Sequence, residues 1–91
     1  MALTALLLIA AAPNVAVEPA PDGRFRVSTV IAGDSGMPED YARGLLRLRA
    51  AAEEQCRGRG RAISSGTIEA DRVPHRPDRL SLAETYACER P

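Results

Sequence analysis

The chain has 91 residues, 45% hydrophobic and 26% charged, with 12 basic side chains balancing 12 acidic ones. That length holds one small domain, and the even charge excludes a disordered acidic or basic tail and any global pull towards nucleic acid or anionic lipid. Aromatic residues make up only 3%, with no Trp, so stacking platforms for bases or sugars are nearly lacking.

The N-terminus reads as an export signal. Ala2 to Ala12 is an apolar run ended by Pro13 and Asn14. A membrane-crossing helix needs about 20 apolar residues, and a run of roughly half that matches the hydrophobic stretch of a signal peptide. Ala12 and Ala16 are the small residues offered for cleavage. Pro13 follows the first, Asn14 precedes the second by two positions, and no Cys lies near enough for a lipid anchor. The expectation is a signal peptide over 1–16, a Pro-rich linker over 17–23 and a single α+β domain over 24–91. Such a protein is periplasmic or secreted and meets the membrane only transiently, through its signal segment.

A mature domain this small is marginal for one hydrophobic core and calls for a covalent staple. The chain has two cysteines, Cys56 and Cys88. Their spacing is neither C-x-x-C nor a zinc ladder, so a disulfide is expected rather than a redox or metal site.

Along the mature chain, Pro19, Pro21, Asp22 and Gly23 close the linker in a turn. Phe25, Val27, Thr29 and Ile31 alternate with Arg24, Arg26 and Ser28, the pattern of a half-buried strand. Gly33 to Gly36 breaks it. A helix then starts at Pro38, with Glu39 and Asp40 complementing the positive end of its dipole. Tyr41, Leu45, Leu48, Ala52 and Gln55 or Cys56 form its expected apolar stripe, and Gly44 at the edge of that stripe would allow close approach to a sheet. Arg43 and Arg47 lie on the far side. Glu39–Arg43 and Glu53–Arg57 are spaced as i,i+4 pairs, and Gly58 or Gly60 ends the helix. Two strands follow: Ala62 to Val73, bulged at Gly66, and Leu80 to Glu89, joined by a turn over Val73 to Asp78.

The expected architecture is therefore β-α-β-β, a three-stranded sheet with one amphipathic helix on one face, stapled by one disulfide. The crossover helix returns to the end of the sheet where the first strand began, and the second strand leaves from there parallel to the first. The last strand returns to the same end. Cys56, in the last helical turn, and Cys88, near the close of the final strand, thus meet.

Motifs that carry chemistry are few. Gly33-Asp34-Ser35-Gly36 copies the nucleophile tetrapeptide of trypsin-like proteases, but the sole histidine, His75, follows it, and the chain is far shorter than the fold that chemistry needs. A strand-to-helix turn capped by Asp34 or Ser35 is expected instead. Arg57, Arg59 and Arg61 alternate with glycines; helix termination accounts for them, with an anion-binding patch for an envelope component as the functional alternative. His75 lacks further ligands at metal reach except Asp71 and Asp78. Glu39/Asp40 and Glu53/Glu54 are adjacent on a helix and diverge, which suits solvent rather than acid–base work. No catalytic residues, cofactor or metal are expected.

Two resemblances bear on function. A strand, then Arg47-Leu48-Arg49-Ala50-Ala51-Ala52-Glu53 leading to Cys56 and glycines, then strands closing on Cys88, resembles small uncharacterised bacterial envelope (periplasmic) proteins of β-α-β-β plan. That resemblance implies a location and no activity. Arg76-Pro77-Asp78-Arg79-Leu80 with a later Cys88 is similar to the closing segment of small secreted bacterial serine-peptidase inhibitors, with Ser81 in place of the usual Asn and Glu89 in place of the usual Gly. The expected function is a non-enzymatic binding or structural role in the cell envelope, with peptidase inhibition as the alternative. The partner is accordingly an envelope component or a peptidase, not nucleic acid.

Overall fold

A computed structural model describes residues 14–32 and 38–90. The apolar run Ala2–Ala12 and the Gly33–Gly36 turn, with its expected cap, lie outside the described residues. The elements are β1 (Val15–Pro19), β2 (Phe25–Ala32), α1 (Pro38–Gln55), β3 (Arg61–Val73) and β4 (Arg76–Glu89). The class is α+β as expected, with one helix on one face of a sheet.

The sheet has four strands, in the order β1-β2-β4-β3, not three. The fourth strand is β1: Val15–Pro19, within the stretches expected as signal and linker, pairs antiparallel along β2, Val15 with Thr29 and Val17 with Val27. A tight turn at Pro21–Gly23 closes the hairpin, the Ala20 N–H donating to the Arg24 carbonyl at 2.9 Å. Pro19 is tolerated because β1 is an edge strand, and it stands at that strand's end. The expected direction holds: β2 and β3 run the same way, with β4 between them and antiparallel to both. No parallel neighbours exist among the described strands, because β4 turns back tightly from β3 and takes the place beside β2.

The alternation in β2 holds: Phe25, Val27, Thr29 and Ile31 are buried and the residues between them are not. They face α1 together with Leu82 and Tyr86 of β4, and Val27, Leu48, Cys56 and Leu82 are the largest fully buried side chains. The helix sits closer than its leucines alone would place it. A methyl on Gly44 would come within 2.8 Å of the Ile31 side chain and 2.9 Å of Leu82. The close approach expected of Gly44 therefore rotates the buried stripe onto Gly44, Leu48, Ala51, Ala52 and Cys56. Leu45 moves to the flank, Gln55 is exposed, and Tyr41 is 41% exposed. Arg43 and Arg57 pair with Asp40 and Glu54, three residues before each, rather than with the carboxylates at i,i+4.

The β3–β4 hairpin is long and irregular. Its register slips between Ser64 and Ile68, the bulge expected around Gly66, and again between Arg72 and Val73. At its tip Pro74 and His75 form the turn, with His75 at φ 65°, the φ pattern of a type II turn. On the opposite face, Arg26 reaches across β4 to Glu69 at 2.7 Å and lies 3.9 Å from Glu18 of β1. Cys56 and Cys88 are bonded, with an S–S distance of 2.04 Å and Cα atoms 5.4 Å apart. The staple joins the helix C-terminus to β4, the strand at the heart of the sheet.

Candidate functional site

The three arginines of the glycine-rich segment are exposed and have different partners. Arg57 pairs with Glu54 at 2.8 Å, and Arg59 donates to the Gln55 carbonyl at 3.0 Å, closing the helix end. Arg61 opens β3 opposite Glu89 and lines a separate cleft with Arg49. Gly60 between them has φ 116°, and a Cβ there would meet the Glu89 carbonyl oxygen at 2.3 Å, so only glycine lets the chain turn into β3. This segment is occupied with ending a helix and starting a strand.

A polar cluster stands a few residues away, beneath a cleft of about 290 Å³ lined by Arg49, Glu53, Arg61, Ser64 and Tyr86. Glu84 is 2% exposed. Its two oxygens accept hydrogen bonds from the Ser64 and Tyr86 hydroxyls, so the buried carboxyl is satisfied on both sides, as burial demands. The Ser64 oxygen in turn accepts from the Gly66 N–H at 2.9 Å, which fastens the bulge of β3 to β4. Burial, and then the hydrogen bond and charge of Glu84, push the Tyr86 phenol above its ordinary pKa of 10.0, against an opposing pull from Arg49. Ser64 gives its proton to Glu84 and takes one from the Gly66 N–H, so the cluster ties β3 to β4.

The opposite end of the domain differs. There β1 begins, β2 ends and β4 begins, and the first half of α1 lies alongside. Arg43, Arg47 and Arg79 line a hollow of about 250 Å³ with Asn14, Val30, Ala32 and one carboxylate, Asp40. Arg79 also lines an adjoining hollow of about 500 Å³, with Arg76, Asn14, Val30 and Ser81. The two arginines on α1 share a face because they are four residues apart. On β4, Arg79 stands opposite Ala32 at the end of β2, and Arg76 follows the hairpin turn opposite Val73. Internal ion pairs are long: 3.6 Å from Arg43 to Asp40 and 3.8 Å from Arg79 Nε to Asp78. Among the described residues Arg47 and Arg76 pair with no carboxylate. The Arg79 Nε is out of contact with water and has no hydrogen-bond partner among the described residues, an unfavourable state for a cationic donor.

Sequence reasoning missed this groove. It read Arg43 and Arg47 as a solvated helix face, and no signal in the sequence placed Arg76 and Arg79 beside them. The inhibitor-like segment Arg76–Leu80 lies in the same bulged stretch, where Arg72 donates to the Pro77 carbonyl at 3.3 Å. His75 sits at the hairpin tip, and no group of three His, Cys, Asp or Glu among the described residues is placed to hold a metal ion.

Compared with protein-family models, with curated proteins and with solved structures, the chain matches none of them. Function is therefore argued from the geometry alone.

Proposed function

We propose that this chain is a small exported domain of the cell envelope, periplasmic or secreted, that acts by binding rather than by catalysis. The observation that carries the reading is the Cys56–Cys88 bridge, which joins a fully buried helical cysteine to the central strand of a small core. Disulfides persist in oxidising compartments outside the cytosol, and small exported domains rely on them because their cores are thin. The apolar run Ala2–Ala12 supplies the route of export.

Processing of such a signal would have to spare β1. Val15 is 4% exposed and belongs to the core, and the Asn14 carbonyl accepts a hydrogen bond from Thr29 Oγ1 at 2.8 Å. Cleavage after Ala16 would remove both, whereas cleavage upstream of Asn14 keeps β1 whole. Full-length protein bearing a C-terminal tag, fractionated and analysed by mass spectrometry with and without alkylation, tests the proposal. The expected product lies outside the cytosol, begins before Val15 and has no thiol open to alkylation. An intact N-terminus in the cytosol, or two alkylated thiols in folded protein, would overturn it.

A further inference from the structure

We infer that the groove lined by Arg43, Arg47, Arg76 and Arg79 is a binding site for a phosphate group. Two arginines come from one face of α1 and two from the start of β4, so four cations converge from two independent elements on two adjoining hollows. Elsewhere in the domain two arginines close short contacts, at 2.7 Å for Arg26 to Glu69 and 2.8 Å for Arg57 to Glu54, although Arg26 also stands 3.9 Å from Glu18. Here the internal pairs stretch to 3.6 and 3.8 Å, and the buried Arg79 Nε has no acceptor among the described residues. The Arg79 side chain as a whole is 42% exposed, so the outer part of its guanidinium is open to an anion in the groove.

The number and kind of donors select the ligand. A guanidinium presents a planar fork that binds a phosphate or a carboxylate through two parallel hydrogen bonds. One carboxylate saturates one fork, whereas the tetrahedral oxygens of a phosphate can engage several forks arriving from different directions. Among the described residues, four arginines opposed by Asp40 and Asp78 leave net positive charge for a phosphate to neutralise. The hollows, of about 250 and 500 Å³, suit a phosphate with a small substituent, since small-molecule sites span about 300–1,000 Å³. Val30, 46% exposed, borders both hollows and gives an apolar rest for that substituent. A lipid headgroup and a free phosphate share this chemistry.

The test uses the disulfide-bonded protein, labelled with nitrogen-15, and two probes. Inorganic phosphate is titrated against chloride at matched ionic strength while the arginine Nε–Hε signals are followed. Vesicles of phosphatidylglycerol are compared with vesicles of phosphatidylcholine by co-sedimentation. Saturable shifts at Arg79 Nε–Hε and at the amides of Ala32, Arg43 and Arg47 are expected, or retention on the anionic vesicles. R47Q combined with R79Q should weaken that binding about tenfold or more, the loss of charge-assisted hydrogen bonds. R57Q combined with R59Q should leave it within about twofold, as for exposed surface pairs. Phosphate binding without vesicle binding assigns a free phosphate, and vesicle binding without phosphate binding assigns a headgroup. Failure of both probes, or binding lost through Arg57 and Arg59 and kept without Arg47 and Arg79, overturns the site. Should R47Q/R79Q fail to fold, R43Q/R76Q carries the same comparison. The outcome is independent of where the protein is exported, so it stands or falls apart from the proposed location.

Discussion

The two ends of the domain are built on opposite terms. At the stapled end, Cys56, Cys88, Glu84, Tyr86 and Ser64 are each bonded to a named partner, and the glycine at position 60 fits against the Glu89 backbone. At the arginine end the charges face one another across open hollows, with long contacts and few acceptors. Satisfied polar groups hold a fold together, and unsatisfied ones ask for a ligand. The same small core supports both, so stability and binding should respond to different substitutions.

The largest effect belongs to the staple. Cys56 and Cys88 are 32 residues apart, and loop entropy for that separation gives about 3.5–4 kcal/mol. Typical domains have about 5–15 kcal/mol in all, and one this small stands near the lower limit. Cys88→Ser, or reduction, should leave the protein unfolded or protease-sensitive at physiological temperature. Limited proteolysis with and without reductant measures this; equal resistance would mean that the sheet and helix hold without their covalent tie. Leu48→Ala comes next, at about 2–5 kcal/mol by the usual range for core truncations, because Leu48 is fully buried over the sheet. Leu45→Ala should cost clearly less, since the helix is rotated towards Gly44, and denaturant titration of the pair checks the rotation.

Tyr86→Phe probes the polar half of the stapled end. It strips one donor from the buried Glu84 carboxyl, a loss of about 1–3 kcal/mol. Its pH dependence has a definite sign. The folded phenol is held above its ordinary 10.0 by burial, helped by Glu84, so above that pH the unfolded chain gives up a proton that the folded chain keeps. Stability contributed by Tyr86 is complete below pH 10.0 and falls as pH rises towards the folded value. Urea titrations at about pH 9 and about pH 10.5 should show that fall in the parent and a shallower one in Tyr86→Phe. Parallel behaviour of the two proteins would mean that Tyr86 is not buried against Glu84.

Gly44→Ala has two opposing contributions. Alanine is the better helix former by about 1 kcal/mol, but its methyl would lie under 3.0 Å from both Ile31 and Leu82, and overpacking costs about 1–3 kcal/mol. A net loss of about 1 kcal/mol in a thermal melt is expected. A net gain would show that the helix rides higher over the sheet.

Much of the fold was legible from periodicity. The alternation of Phe25, Val27, Thr29 and Ile31, the helix between Pro38 and Gly58, the bulge at Gly66 and the meeting of Cys56 with Cys88 each follow from local pattern plus the geometry of a crossover. β1 escaped because Val15, Ala16 and Val17 continue the apolar bias of the run before them and Pro19 reads as a linker; only pairing with β2 makes them a strand. The place of β4 between β2 and β3 is a long-range choice that no local pattern encodes. The arginine groove escaped for the same reason. Arg43 and Arg47 sit on one helix face in any reading, but only the pairing of β4 with β2, which sets Arg79 opposite Ala32, brings Arg79 to them. Glu84 was passed over because a lone Glu in a strand reads as solvent-facing until its two hydroxyl partners are found.

The smallest expected effect on stability falls on the groove itself. Arg43 and Arg47 are like charges four residues apart on one helix, an arrangement that costs a few tenths of a kcal/mol, about 0.2–0.5, and is relieved by salt. Arg47→Gln should therefore leave stability unchanged or raise it by about that amount at low ionic strength. The parent should gain more stability than the variant when salt is added. Phosphate should mimic salt at far lower concentration, because an anion held between the forks neutralises both charges at close range and binds only the folded state. Thermal melts of parent and Arg47→Gln, in chloride and in phosphate at matched ionic strength, separate the contributions. A parent stabilised equally by the two anions would reduce the groove to ordinary screening. An Arg47→Gln protein that melts several degrees lower would make the arginine stem a packing element of the kind found at the stapled end, and the contrast between the two ends would close.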